Sequence, residues 1–252
     1  MRRGRCVAVA VLGSAALALS GCGSSGGSSG AAPSASATST PTQTPNAFAG
    51  ESAQQILDDA LAAAKSASSV RVKGKMTDAG KTIEINLAVG KDSADGTVSI
   101  DGGTMSLRRI GNDIYIEADK EFWTAQASAA VAALLDGKWL KAPTSNKDFG
   151  EFSNFTSVKA LLGGMLTPSG TVTRAPGKDV DGTPTVGLHD ADSSGGTSGT
   201  MYVSATGKPY PLLIVADKEA GSVSFSDWDA AVTVTPPPAA DVVDLSSLTG
   251  SG

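Results

Sequence analysis

Apolar and polar residues alternate along most of this chain, and that alternation constrains the fold more than any other feature. Val70, Val72, Gly74 and Met76 alternate with Arg71, Lys73 and Lys75, and Ile83, Ile85, Leu87 and Val89 alternate with Glu84, Asn86 and Ala88. Period two places every second side chain on one face, so these segments predict a sheet with one dry and one wet face. Val98 and Ile100, Met105 and Leu107, and Ile114 and Ile116 continue the pattern. Asp78-Ala79-Gly80, Asp101-Gly102-Gly103 and Gly111-Asn112 supply the turns, and such short connections imply an antiparallel meander. Five further strand-like stretches follow at 171–173, 185–188, 201–203, 212–216 and 223–225, and Val232 and Val234 suggest a last one. Pro236, Pro237 and Pro238 then end the sheet, because proline cannot donate to a ladder. Val242, Val243 and Leu245 are expected to pack back onto the domain, and 190–199 reads as a polar, flexible loop.

Helical spacing breaks in three times. Ser52 and Gln55 resemble a capping box ahead of Ile56, Leu57, Ala60, Leu61 and Ala64. Asp119 precedes a second stretch with Phe122, Trp123, Ala130, Val131, Leu134 and Leu135. A third runs from about Phe155 to Leu166 and carries Val158, Leu161, Leu162 and Met165. Gly163 and Gly164 cost it roughly 1 kcal/mol each relative to alanine, which predicts a partly broken helix. No β-α-β alternation runs through the chain, which argues against a parallel sheet and a solute-binding fold of that kind. The expected fold is α+β: a curved antiparallel half-barrel of about ten strands, with helices on its concave face, over residues 51–248.

The N-terminus reads differently. Arg2, Arg3 and Arg5 precede an apolar run from Cys6 to Leu19, too short to span a bilayer comfortably, as a secretory signal does. Leu19-Ser20-Gly21-Cys22 resembles the bacterial lipobox, at which an acylated cysteine becomes the new N-terminus. Residues 1–21 are then the signal peptide and Cys22 the lipidation site. Residues 22–50, rich in Gly, Ser, Ala, Thr and Pro, form a tether with a root-mean-square reach of about 30 Å. The expected location is the outer face of the cell membrane, held by lipid.

Composition removes several functions. Loss of the three signal arginines leaves 17 basic residues against 25 acidic ones, a net charge of −8 that repels nucleic acid and anionic headgroups. With Cys6 removed and Cys22 acylated, no thiol is left for a disulfide, a nucleophile or a zinc site. His189 is the single histidine, with Asp190 and Asp192 as its sequence neighbours, and no G-x-S-x-G elbow accompanies it. Asp179, Asp181, Asp190 and Asp192 lack the EF-hand order of ligands. No catalytic residue, metal or cofactor is expected, and the protein reads as a non-enzyme. Trp123, Trp139 and Trp228 are expected in the core or at its rim.

Ile114-Tyr115-Ile116-Glu117-Ala118-Asp119-Lys120-Glu121-Phe122-Trp123, followed by Gly137-Lys138-Trp139-Leu140, resembles the LppX/LprG-type lipoproteins of high-GC Gram-positive bacteria. Met201-Tyr202-Val203 and the turn Thr206-Gly207-Lys208-Pro209 resemble the wider LolA/LolB-like superfamily, with Lys208 where an apolar residue is common. The resemblance spans roughly Ser52 to Leu245 and implies a half-barrel around a hydrophobic cavity that holds the acyl chains of a lipid or glycolipid, for carriage or envelope assembly. Alternation alone fits a packed and a hollow interior equally, and the resemblance favours the hollow one. The expected lining is Val72, Ile85, Leu87, Val98, Ile100, Leu107, Ile114, Ile116, Leu134, Leu161, Met165, Val203, Leu212 and Ile214. The alternative is an interaction or signalling lipoprotein with the same fold, no cargo and a protein partner in the envelope.

Overall fold

The computed structural model describes residues 48–78, 80–147, 150–166, 170–191 and 198–246. The signal peptide, Cys22, nearly all of the tether and the centre of the 190–199 loop lie outside the described residues. The first helix, α1 (Ala53–Ser66), starts as expected: Gln55 N–H donates to Ser52 Oγ at 3.2 Å, and Ser52 N–H donates to Gln55 Oε1 at 2.8 Å. Its buried face is Ile56, Leu57, Ala60 and Ala64.

A five-stranded meander follows: β1 (Ser69–Asp78), β2 (Lys81–Gly90), β3 (Ser93–Ile100), β4 (Gly103–Ile110) and β5 (Asp113–Ala118). The β3–β4 and β4–β5 turns use the residues read from the sequence; at the β3–β4 turn Asp101 and Gly102 take φ of 51° and 93°, a left-handed pair suited to a two-residue hairpin. The second helical stretch is two helices, α2 (Lys120–Gln126) and α3 (Ala129–Leu134), because Ser128 starts a new helix by accepting from Val131 N–H at 3.3 Å. Strand β6 (Trp139–Pro143) then pairs with β5.

The third helical stretch also divides, into α4 (Gly150–Phe155) and α5 (Val158–Leu166). The break falls at Thr156–Ser157, not at the glycines as expected, and α5 runs unbroken through Gly163 and Gly164. Gly163 faces open space, so its missing side chain costs no packing.

The second half contains β7 (Val172–Ala175), β8 (Asp179–Val180), β9 (Thr183–Asp190), β10 (Gly199–Ser204), β11 (Pro211–Ala216) and β12 (Gly221–Ser226). The strand expected around Val232 and Val234 does not form. Residues 230–238 instead run as an irregular strap, whose Thr235 carbonyl accepts from Arg108 at 3.2 Å. The strap delivers β13 (Val242–Asp244), which pairs parallel with β6 and is the one parallel pair among the described strands.

The result is an unclosed, curved sheet of 13 strands, ordered β13-β6-β5-β4-β3-β2-β1-β12-β11-β10-β9-β7, with β8 beside β9. The β1–β12 pairing joins the two halves. One register line then crosses ten strands: Arg174, Leu188, Met201, Ile214, Val223, Gly74, Ile85, Val98, Met105 and Ala118. In-register neighbours share a face, so this line and its parallels form the concave apolar side. Against it pack Trp123 and Leu135 of the α2–α3 region and Val158, Leu161, Leu162 and Leu166 of α5. A second cluster, with Phe48, Ile56, Leu57, Val172, Leu188 and Val203, holds α1 to the β7–β10 end.

Candidate functional site: an apolar cleft between sheet and helices

Burial along the concave face is graded. The line through Phe225, Val72, Leu87, Gly96, Leu107, Ile116 and Leu140 lies deep in the buried cluster. The line through Met76, Ile83 and Ile100 lies two residues further along the strands than Gly74, Ile85 and Val98, at the hairpin turns. There Ile83 is 43 % and Ile100 45 % exposed.

Between the buried and exposed lines opens a cleft of about 440 Å³. Its sheet side is Met76, Ile83, Ile85, Ile214 and Val223; its helix side is Asn154 and Phe155 of α4 with Ala160, Leu161 and Met165 of α5. Asn154 supplies the only side-chain polar group among these residues. Gly74, in register between Val223 and Ile85, adds no side chain to the floor. A Cβ there would stand 2.2 Å from the Ser222 carbonyl oxygen, so the position cannot carry one without moving β12.

Of the residues expected to line a cavity, Ile85, Leu161, Met165 and Ile214 come together in this cleft. Val72, Leu87, Val98, Leu107, Ile114 and Ile116 lie deeper, in the buried cluster, and Val203 belongs to the cluster beneath α1. Leu212 is half-buried, at the irregularity between β10 and β11. Two of the expected residues lie outside the cleft: Ile100 shares the concave face but is 45 % exposed at the end of β3, and Leu134 is 50 % exposed because the short α3 buries Ala132, with Leu135 buried at its C-cap. The sequence reading put Met76 and Ile83 on the right face but left them out of the lining. Their position beside the β1–β2 turn is the signal that marks them as mouth residues.

The helix wall is pinned from the sheet. Arg109 sits in register with Ala94 and Ile114; its Nη1 donates to the Thr156 carbonyl at 3.1 Å and its Nε to the Gly111 carbonyl at 3.0 Å. Arg109 therefore holds the α4–α5 junction over the concave face. A larger groove, about 550 Å³, lies on the wet face among Lys73, Lys75, Glu84, Asn86, Thr97, Ser99 and Ser222; its polar walls do not suit an acyl chain.

The remaining sequence candidates lie elsewhere. His189 has partners the sequence did not reveal: Nδ1 lies 3.2 Å from Thr200 Oγ1 and Nε2 3.9 Å from Asp217 Oδ2. The nearby Ser198 hydroxyl donates to Asp217 at 2.8 Å rather than to the imidazole, which is not a nucleophile–base pair. Among the described residues no group of three or more His, Cys, Asp or Glu is arranged to hold a metal ion, and no helix is long and apolar enough to cross a membrane. Trp123 is buried near the helices; Trp139 lies beneath the Arg108 guanidinium, 4.5 Å from its ring centre; Trp228 stacks on Tyr210 at 4.4 Å.

No family model and no curated protein matches the sequence. Solved structures do. LprF from Mycobacterium bovis superposes with a TM-score of 0.50 at 16 % identity, over 73 % of this chain and 96 % of that one. The Mycobacterium tuberculosis lipoprotein LppX gives 0.43 at 15 % identity, over 73 % and 98 %. The MucA/MucB complex of Pseudomonas aeruginosa gives 0.33 at 14 % identity, over 72 % and 58 %. The chain has the fold of LprF, and the resemblance to LppX/LprG-type lipoproteins read from its sequence holds at the level of the fold.

Proposed function

We propose that the protein is an extracytoplasmic lipoprotein, anchored through Cys22 at the outer face of the cell membrane, whose cleft holds acyl chains of a lipid or glycolipid. The observation that carries this reading is the cleft itself. Its volume, about 440 Å³, falls in the range of roughly 300–1,000 Å³ usual for small-molecule sites. Its walls are aliphatic, aromatic and thioether side chains, which reward burial of methylenes by about 0.8 kcal/mol each and offer no array of polar groups to a sugar or peptide. Asn154, at the α4 side, is positioned to meet a polar group of the lipid.

Ala160 supplies the test, because it lines the cleft with the smallest side chain of the helix wall. The mature chain with Cys22→Ala is purified without detergent, and its bound lipid is identified by mass spectrometry. Lipid should co-purify, and Ala160→Trp should remove it while the thermal melt stays close to that of the parent. Absence of lipid from the parent overturns the cargo reading and leaves a protein-binding lipoprotein in its place.

A further inference from the structure

The mouth of the cleft is not closed by any described element, and its edge is apolar. Ile83 and Ile100 are direct cross-strand partners, both nearly half exposed, and Ile83 also lines the cleft. Their exposed surface is thus continuous with the interior. Two exposed isoleucines alone are ordinary, but here they run on into an apolar cleft, which makes the edge suited to an apolar contact. We propose that the Ile83–Ile100 edge docks on the lipid bilayer that carries the anchor, dipping into the boundary between headgroups and acyl chains, so that cargo passes between bilayer and cleft without crossing water. The inference rests on the proposed function and adds the surface through which that site is filled.

Two features select a bilayer as the occupant. The first is where the tether meets the domain. Arg174 Nη1 and Nη2 donate to the carbonyls of Glu51 and Phe48 at 3.3 and 3.2 Å. Arg174 stands on the same ten-strand register line as Ile85, one step in from Ile83 and Ile100. The described chain therefore begins at the level of the mouth, and 25 residues, 23–47, separate it from the proposed acylation site at Cys22. The second is effective concentration. Tethering makes docking intramolecular, so a small apolar edge suffices where a free protein would need a large one. The net charge of −8 means that insertion, not attraction to headgroups, must drive the contact.

Lys81, exposed and on the same side of β2 as Ile83, carries the probe. In the lipidated mature protein, from which Cys6 has left with the signal peptide, Lys81→Cys supplies the one free thiol, and it is labelled with a polarity-sensitive fluorophore. The protein is reconstituted into phosphatidylcholine vesicles. Docking predicts blue-shifted emission that persists at high salt, is abolished by the pair Ile83→Ser and Ile100→Ser, and is accompanied by a several-fold slower uptake of pyrene-labelled phospholipid. Both isoleucines are exposed, so the double variant should keep the parent melt; Ile100→Ser alone, with a partial effect, provides the check. An unshifted label in the parent overturns docking, as does a shift that follows protein concentration rather than vesicle lipid, which would indicate self-association. Failure of the cargo reading is distinguished by the lipid content of the purified parent protein, which Ile100→Ser, outside the cleft lining, should leave unchanged.

Discussion

The Tyr210 hydroxyl donates to Asp229 Oδ2 at 2.6 Å, and this contact ties the β10–β11 connection to the segment that follows β12. Lys208 Nζ reaches the same oxygen at 2.9 Å, and Ser68 N–H donates to Oδ1 at 2.9 Å, so one carboxylate gathers the start of β1 and both ends of the β11–β12 region. Asp229 itself adopts φ of 61°, a left-handed conformation that aspartate tolerates. Lys208, the residue by which this chain departs from the resembling family's turn, is therefore a partner in this clamp.

The clamp predicts an acid limb in stability. The Tyr210 hydroxyl, then Lys208, then Ser68 N–H hold the Asp229 carboxyl well below the usual carboxylate range. A depressed folded pKa contributes stability above the unfolded value near 3.8, and that contribution is lost as pH falls from there toward the lower folded value. Asp229→Asn should flatten that limb. At neutral pH it should cost on the order of 1 kcal/mol, since the site is part-exposed, or roughly 2–4 °C in Tm. Thermal melts across pH 2–7 measure both.

Arg109 is expected to govern the helix wall rather than the sheet. Arg109→Leu removes the donor to Thr156, whose residue is fully buried, and should cost about 1–3 kcal/mol. Hydrogen exchange should show faster exchange in α5 with β2 and β3 unchanged; uniform loss of protection across the sheet would contradict this placement.

Neighbouring leucines should respond oppositely. Leu135 is 1 % exposed and Leu134 50 % exposed. Leu135→Ala should cost about 2–5 kcal/mol by transfer and cavity formation, whereas Leu134→Ala should stay within about 0.5 kcal/mol. Denaturant unfolding of the two variants measures the difference, and equal costs would mean that α3 packs on its other side.

Cys22→Ala should move the mature domain out of the membrane fraction, because acyl chains supply its expected attachment. Fractionation followed by immunoblotting tests it, and retention at the parent level would refute the lipobox reading.

Local information in the sequence determined most of the strands, which face of each is dry, and where α1 begins, although the alternating Val232 and Val234 form no strand and β8 was not foreseen. Alternation, the Asp-Gly turns and the Ser52–Gln55 box act over two to four residues, so each could be read directly. Period two assigns a residue to a face but not to a position along the strand. It therefore grouped Ile100 with Leu107, although one is at the open mouth and the other is fully buried. Helical spacing likewise marked Leu134 as apolar without revealing that α3 is too short to bury it. The tertiary structure alone decided that β12 pairs with β1, that the proline-rich strap carries β13 to β6, and that α4 and α5 face the Met76–Ile83 end of the sheet across a cleft. Those outcomes depend on contacts between residues far apart in the sequence, whose energies arise from mutual burial and leave no local pattern in the chain.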